Sequence, residues 1–384
     1  TMGPSSEVVL VLRARAPTPS RVALLCRAMS QAADELCAHG PLVRLDAIIS
    51  VAAAIADQHD KRLIDLFSEW SSLQRCRTAG DYLLSGRLAE RAGDIETAFW
   101  SYQVAARQCP GGRAEGLSLR LRPRLLPFEA LAGSELERST WSGPLARFLS
   151  HARQSTFGIT ARRRRYQEAD DEEGRRSASA VQRILTQFHP STAMDVDVCA
   201  VLTSVGPGML AVHNTSPPRL LVHPDFRHQS VAEQRFRVAR AMCAIALGLT
   251  AIEDLVPIHP VVLLDAMATC VRPARPRRFS DSEAIFHQLL DNGISSIEID
   301  ATNRRRITAE IDAWHDCDDD GLLLSSTLED CLDLAAVLVS GRLDGAFEAL
   351  ERDRSEATDP HGFQGDALDE RVLRLIQSLK LPPL

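Results

Sequence analysis

The stretch "AGDYLLSGRLAERAGDIETAFWSYQVAARQCP", from Ala79 to Pro110, carries the reading of the fold. Apolar residues recur at three- and four-residue steps on both sides of Gly93-Asp94, so two helices joined by a tight turn are expected. Small residues stand where the helices would cross, at Gly86 and Ala98, and allow the backbones to approach closely. Tyr82 and Tyr102 are large enough to fill the space beside those crossings.

In this order, Tyr82, Gly86, the Gly93-Asp94 turn, Ala98, Tyr102, Ala105 and the closing Pro110 resemble the signature of a tetratricopeptide repeat (TPR), over nearly a whole unit. One such unit cannot bury its own face, so the preceding helices are expected to stack on it as diverged repeats. Three segments supply them: "SRVALLCRAMSQAADELCAHG", which ends at the helix-stopping Gly40, then "LVRLDAIISVAAAIADQHD" and "KRLIDLFSEWSSLQRC". Residues 1–110 are therefore expected to form a TPR-like helical array. The resemblance implies that such an array presents a surface to another protein or peptide.

Residues 111–190 read as an irregular, partly helical connector. "GGRAEGLSLRLRPRLLPFEALAG" is broken by proline and glycine, and "ARRRRYQEADDEEGRRSASA" sets a basic tetrad against an acidic run. With no apolar periodicity, residues 161–178 are expected to be a charged loop. The acids nearly neutralise Arg162 to Arg165, so no nucleic-acid or membrane partner is expected there.

From residue 191 to 384 the pattern changes. Val196 to Thr203, Met209 to His213 and Arg219 to His223 are short apolar runs separated by Gly-Pro-Gly and Ser-Pro-Pro, which predicts a small β-meander. A helix follows, with Ser230 and Glu233 spaced as a capping box. Strands followed by a helix beginning "AEQRF" resemble the core of gluzincin-type HExxH zinc metallopeptidases. The nearer likeness is to peptidase-like modules downstream of TPR repeats in some bacterial proteins. In active enzymes that helix carries two histidines four apart that hold zinc, and a glutamate that activates water. Aligned here is "VARAMCA", Val238 to Ala244, so Arg240 and Ala244 stand at the ligand positions and Ala241 at that of the base. The resemblance places the third ligand, a glutamate, at Trp314, and keeps at Asp318 an aspartate that supports the ligands. The implied domain is a peptidase-like fold without the residues for peptidase chemistry, and neither metal nor cofactor is expected.

Two other groups of residues invite a metal reading. Asp316, Asp318, Asp320 and Gly321 have the spacing that opens an EF-hand loop, but Leu324 and Thr327 fall where a polar ligand and a bidentate glutamate are required. His213, His223 and His228 cluster in the strand region, yet strand side chains alternate faces, so surface or hydrogen-bonded histidines are expected. His259, His287, His315 and His361 are isolated in sequence. Phosphate-loop, GxGxxG and GxSxG signatures are missing.

The 384 residues favour two or three domains, and 45% hydrophobic with 25% charged residues is ordinary for a soluble globular chain. A net charge of −7 argues against general nucleic-acid affinity, and no apolar run approaches membrane-helix length. The opening "TMGPSSEVVLVLRAR" lacks the charged and apolar regions of a secretory signal. Nine widely spaced cysteines without a CxxC predict reduced thiols and a cytoplasmic protein. The fold expected is mostly α: TPR-like hairpins followed by an α+β metallopeptidase-like domain. The function expected is a non-catalytic interaction or scaffold protein. Two alternatives stay open, an enzyme of unrecognised type and a small-molecule or metal sensor using the degenerate pocket and the Asp316–Asp320 cluster.

Overall fold

The protein was analysed as a computed structural model. The structure describes residues 19–38, 40–55, 78–121, 171–188, 196–202, 209–213, 217–247, 301–315 and 322–356, together with 67, 125–127, 130–131, 167–169, 249, 265, 268–269, 375 and 379. These residues form ten α-helices, a 3₁₀ turn and one three-stranded sheet, so the chain is mostly helical. It divides into two compact units, one of Thr1–Arg124 with Ile376–Pro383, the other of Leu125–Leu375 with Leu384.

In the first unit α1 (Pro19–Cys37), α2 (Leu42–Ile55), α3 (Ala79–Arg91), α4 (Ile95–Gln108) and α5 (Arg113–Arg120) pack in succession. Helix α3 begins at a full capping box: Thr78 Oγ1 accepts from Asp81 N (3.1 Å), and Asp81 Oδ2 accepts from Thr78 N (2.9 Å). It ends at Gly93, whose φ of +82° is the left-handed conformation that glycine adopts at low cost. Asp94 N then bonds back to Ala89 O (2.9 Å), while the Asp94 carboxylate caps α4 through Thr97 N (3.1 Å).

Helix α1 crosses α3 where Gly80 leaves room. A Cβ there would lie 2.6 Å from Asp34 Cα, and Gly80 N donates to Asp34 Oδ1 (3.0 Å). Beside it Ser30 donates to the buried Asp81 carboxylate. Helix α2 is tied to α3 by Arg87, whose Nη2 lies 2.6 Å from both Asp46 oxygens.

The second unit corrects two expectations. First, the charged segment 161–178 is not a loop throughout: α6 runs Glu172–Phe188 and buries Gly174, Ser177, Val181, Ile184 and Leu185. Its first two buried residues are a glycine and a serine, so the helical stripe begins without apolar letters and escapes a periodicity search. A Cβ on Gly174 would come within 2.7 Å of Ala169 Cβ, and Ser177 Oγ donates to Pro224 O (2.6 Å). Residues 111–190 are accordingly shared out: Arg113–Arg120 packs on α4, and Glu172–Phe188 on the sheet.

Second, the three strands are not a meander. Strands β1 (Asp197–Ala200), β2 (Leu210–His213) and β3 (Arg219–Val222) occur near the expected places, but the order is β1-β3-β2. β3 is parallel to β1 (Asp197↔Arg219, Ala200↔Val222) and antiparallel to β2 (Leu210↔Val222). Leu220, Leu221 and Val222 are all buried, and the strand buried most completely takes the centre, with a partner on each edge. Glu168 adds an isolated antiparallel bridge to Val201.

A 3₁₀ turn (Pro224–His228) leads to α7 (Val231–Leu247), the central helix of this unit. α7 packs against α6, β2, α9 (Leu322–Ser340) and α10 (Leu343–Glu356). The remaining helix, α8, spans Ala301–His315. At α10 the backbone comes so close that a Cβ on Gly345 would be 2.5 Å from the Ala232 carbonyl carbon.

Candidate functional site

Helix α7 carries Arg240, Ala241 and Ala244, the positions at which the resemblance to zinc peptidases would place two ligands and a base. Ala241 and Ala244 are 7% and 0% exposed, packed into the core. Arg240 does not point at an open cleft: its Nε donates to Asp333 Oδ1 at 2.9 Å, and the Asp333 side chain is fully buried in α9. A guanidinium cannot be deprotonated to act as a base or metal ligand, and an alanine offers no donor atom. The residues at these positions therefore do not fit a zinc ion. Trp314 sits in the last turn of α8, whose described geometry ends at the backbone there; Asp318 and the rest of the Asp316–Asp320 cluster lie outside the described residues.

The main electrostatic feature of α7 lies two turns before Arg240 and was not singled out from the sequence. Glu233 is fully buried and is met by two arginines. Arg237 Nε donates to Glu233 Oε1 (3.0 Å), and Arg352 from α10 makes a fork: Nε to Oε1 at 2.9 Å, Nη2 to Oε2 at 3.0 Å. Arg237 goes on to bond Asp353 Oδ1 (2.7 Å) and Ala349 O (3.1 Å). Ser230 accepts from Glu233 N (3.0 Å) and donates to Glu348. Half of the expected capping box is present, while the Glu233 carboxylate is taken by the arginines. Its spacing from Ser230 suggested only the cap, because Arg352 lies over a hundred residues away.

Both Glu233 oxygens are engaged, and the bonds from Arg237 and Arg352 tie α7 to α10. Arg240–Asp333 does the same between α7 and α9. Burial pushes the Cys243 thiol well above its usual range, with Arg240 opposing, so this cysteine stays protonated within the core.

Of the histidines of the strand region, His223 and His228 both approach the Asp225 carboxylate, at 3.6 and 4.0 Å. His213 is buried on β2, opposite Arg219. His223 caps the 3₁₀ turn, its Nδ1 accepting from Asp225 N at 3.3 Å. His228 is exposed, 4.0 Å from Asp225. Among the described residues no three His, Cys, Asp or Glu side chains gather as a metal site.

In the first unit the residues of the repeat signature converge. Tyr102, Ala98 and Ala105 are 0% exposed and Tyr82 is buried beside them. Gly86 lies against the Tyr102 ring, where a Cβ would be 2.5 Å from Cδ1 and 3.0 Å from Cζ. The Tyr102 hydroxyl donates to Glu90 Oε2 at 2.7 Å, and Glu90 also holds Arg87 at 2.6 Å. Burial, then the Glu90 carboxylate, raise the Tyr102 phenol far above its usual range, so it donates at all ordinary pH. Pro110 is exposed in the turn after α4. Large apolar side chains point outward from this unit: Val43 on α2 and Leu119 on α5 are 77% and 78% exposed.

An open depression between α6 and the 3₁₀ turn is lined by Arg175, Arg176, Ser179, Arg183 and Arg227. Two of these cations are already answered, Arg176 by Glu172 and Arg227 by Glu173.

No protein family, no curated protein and no solved structure matches the chain. Among the described residues no helix is long and apolar enough to cross a membrane.

Proposed function

We propose that this chain is a non-catalytic interaction protein, a TPR-like helical array joined to a peptidase-like domain that has lost its metal. The observation that carries the reading is the fate of one helix face. Where zinc chemistry needs two histidines and a glutamate, α7 has Arg240 spent on buried Asp333, and Ala241 and Ala244 packed in the core. The first unit supports the array half of the reading, since the Gly86–Tyr102 crossing is that of closely packed helical hairpins, and Val43 on α2 and Leu119 on α5 are exposed. Its ligand in this reading is a peptide or helix of another protein.

Zinc titration followed by calorimetry and thermal melting tests the negative half. Neither one-to-one binding nor a rise in Tm is expected, and tight stoichiometric zinc or metal-dependent peptide cleavage overturns it. A photocrosslinking amino acid placed at Val43 or Leu119 tests the positive half. A defined protein adduct in cells is expected, and its absence at both positions removes the array from consideration as a docking surface.

A further inference from the structure

Two cysteines distant in sequence meet at the junction of α1, α4 and α5. Cys37 is the last residue of α1 and is 3% exposed; Cys109 is the C-cap of α4 and is partly exposed. The Cys109 thiol is near enough to Cys37 to act on its proton affinity. Both backbones are drawn to the same point: a Cβ on Gly112, the N-cap of α5, would lie 2.9 Å from the carbonyl oxygens of both Cys37 and Cys109, and 3.2 Å from Cys109 Sγ. Only a glycine lets the three segments close up in this way. Of the other described cysteines, Cys26 and Cys243 are sealed in the core at 1% and 0% exposure.

We propose that Cys37 and Cys109 form a redox modification site: exchange with a low-molecular-weight disulfide, such as oxidised glutathione, joins them in a bridge that staples α1 to the α4–α5 junction. This inference concerns the first unit's own thiols and does not rest on the interaction reading above. The chemistry balances in two exchanges. The Cys109 thiol, deprotonated, attacks one sulfur of the reagent and releases one reduced glutathione, leaving a mixed disulfide on Cys109. The Cys37 sulfur then attacks Cys109 Sγ, loses its proton and releases the second. Two protein thiols are oxidised and one small disulfide is reduced to two thiols.

The division of labour follows from position. Cys109 is the more exposed residue of the two, so the reagent enters there. Burial, with the neighbouring Cys109 thiol and Asp34 adding to it, pushes Cys37 up to about 12, so Cys37 waits as the protonated resolving thiol. Closure requires the sulfurs to approach to the roughly 2.05 Å of a disulfide, and the backbones of both residues already meet at Gly112. Bridging them removes freedom from the unfolded chain across the loop they close, which holds α2, α3 and α4.

The full-length reduced protein, incubated with graded mixtures of oxidised and reduced glutathione, provides the test. After acid quenching, the intact mass is expected to fall by about 2 Da as two thiol hydrogens leave. Digestion should then yield one dominant linked peptide, Cys37–Cys109. Cys109→Ser abolishes the link, whereas Cys37→Ser traps glutathione on Cys109. The first-unit Tm should rise by several degrees on oxidation and return on reduction. Overturning results are a wild-type chain that stops at the Cys109 adduct, links scattered over other cysteines, no reaction, or a bridge that leaves Tm unchanged or lower.

Discussion

Replacing Gly86 by alanine separates two arguments that predict opposite signs. On helix propensity alone, alanine in the interior of α3 should stabilise by about 1 kcal/mol over glycine. The structure predicts a loss. The new Cβ would lie 2.5 Å from Tyr102 Cδ1, and Tyr102 has nowhere to retreat because it is fully buried and its hydroxyl is held by Glu90. Overpacking of this kind costs about 1–3 kcal/mol, and displacing a hydrogen bond to a charged acceptor costs about 1.5–3 kcal/mol. Setting these against the propensity gain leaves a net destabilisation of about 1.5–5 kcal/mol. Urea unfolding monitored by circular dichroism reads it as a lower midpoint of the transition assigned to the first unit. Gly116→Ala is the control: it lies in exposed α5 with nothing within 4 Å of the added Cβ, and should stabilise by about 0.5–1 kcal/mol. Tyr102→Phe isolates the hydroxyl. Should Gly86→Ala prove neutral or stabilising like its control, the close approach of α3 and α4 is wrong, and with it the hairpin geometry on which the array rests.

Three further outcomes are expected. Glu233→Gln leaves Arg237 and Arg352 without their shared buried carboxylate and should cost about 3 kcal/mol in the second unit's unfolding free energy; a loss below about 1 kcal/mol would show that the cluster does not hold α7 to α10. Asp333→Asn similarly strands Arg240 against a buried neutral amide, and a variant as stable as wild type by thermal melting would contradict the ion pair across α7 and α9. Asp344 titrates below the usual carboxylate range: burial raises its carboxyl, but bonds from Arg342 and from the backbone N–H groups of Gly345 and Asp344 outweigh it. A depressed value means that its stabilisation is present above the ordinary carboxylate range and fades as pH falls through the folded value. The difference between wild type and Asp344→Asn should be no more than about 1 kcal/mol near neutrality, since the pair is partly exposed, and should vanish in acid; a difference that grows in acid reverses the sign.

Local signals were legible where both the partner and the pattern lie nearby in sequence. The α3–α4 hairpin announces itself through its apolar spacing, the Gly93-Asp94 turn and the small residues at its crossing, all within about one repeat length. The positions of the three strands were legible for the same reason, as short apolar runs cut by proline and glycine. Their order was not, because alternation identifies a strand without saying which edge its neighbour takes. The first turns of α6 were hidden by a buried face of glycine and serine. The aspartates from Asp316 to Asp320 and the Trp314 side chain lie outside the described residues, so their reading rests on the sequence.

Composition and spacing determined on their own that the chain is mostly helical, that it has a closely packed hairpin at Ala79–Pro110, and that Arg240, Ala241 and Ala244 cannot supply zinc chemistry. Those conclusions need only what each residue is and what stands within a turn or two of it. Tertiary structure alone decided that Arg240 is spent on Asp333, that Arg352 reaches the buried Glu233, and that Cys37 meets Cys109 beside Gly112. Each of these brings together groups whose separation along the chain is unrelated to their separation in space. A buried charge or thiol is defined by whichever neighbour desolvates or pairs with it, and only the folded chain specifies that neighbour.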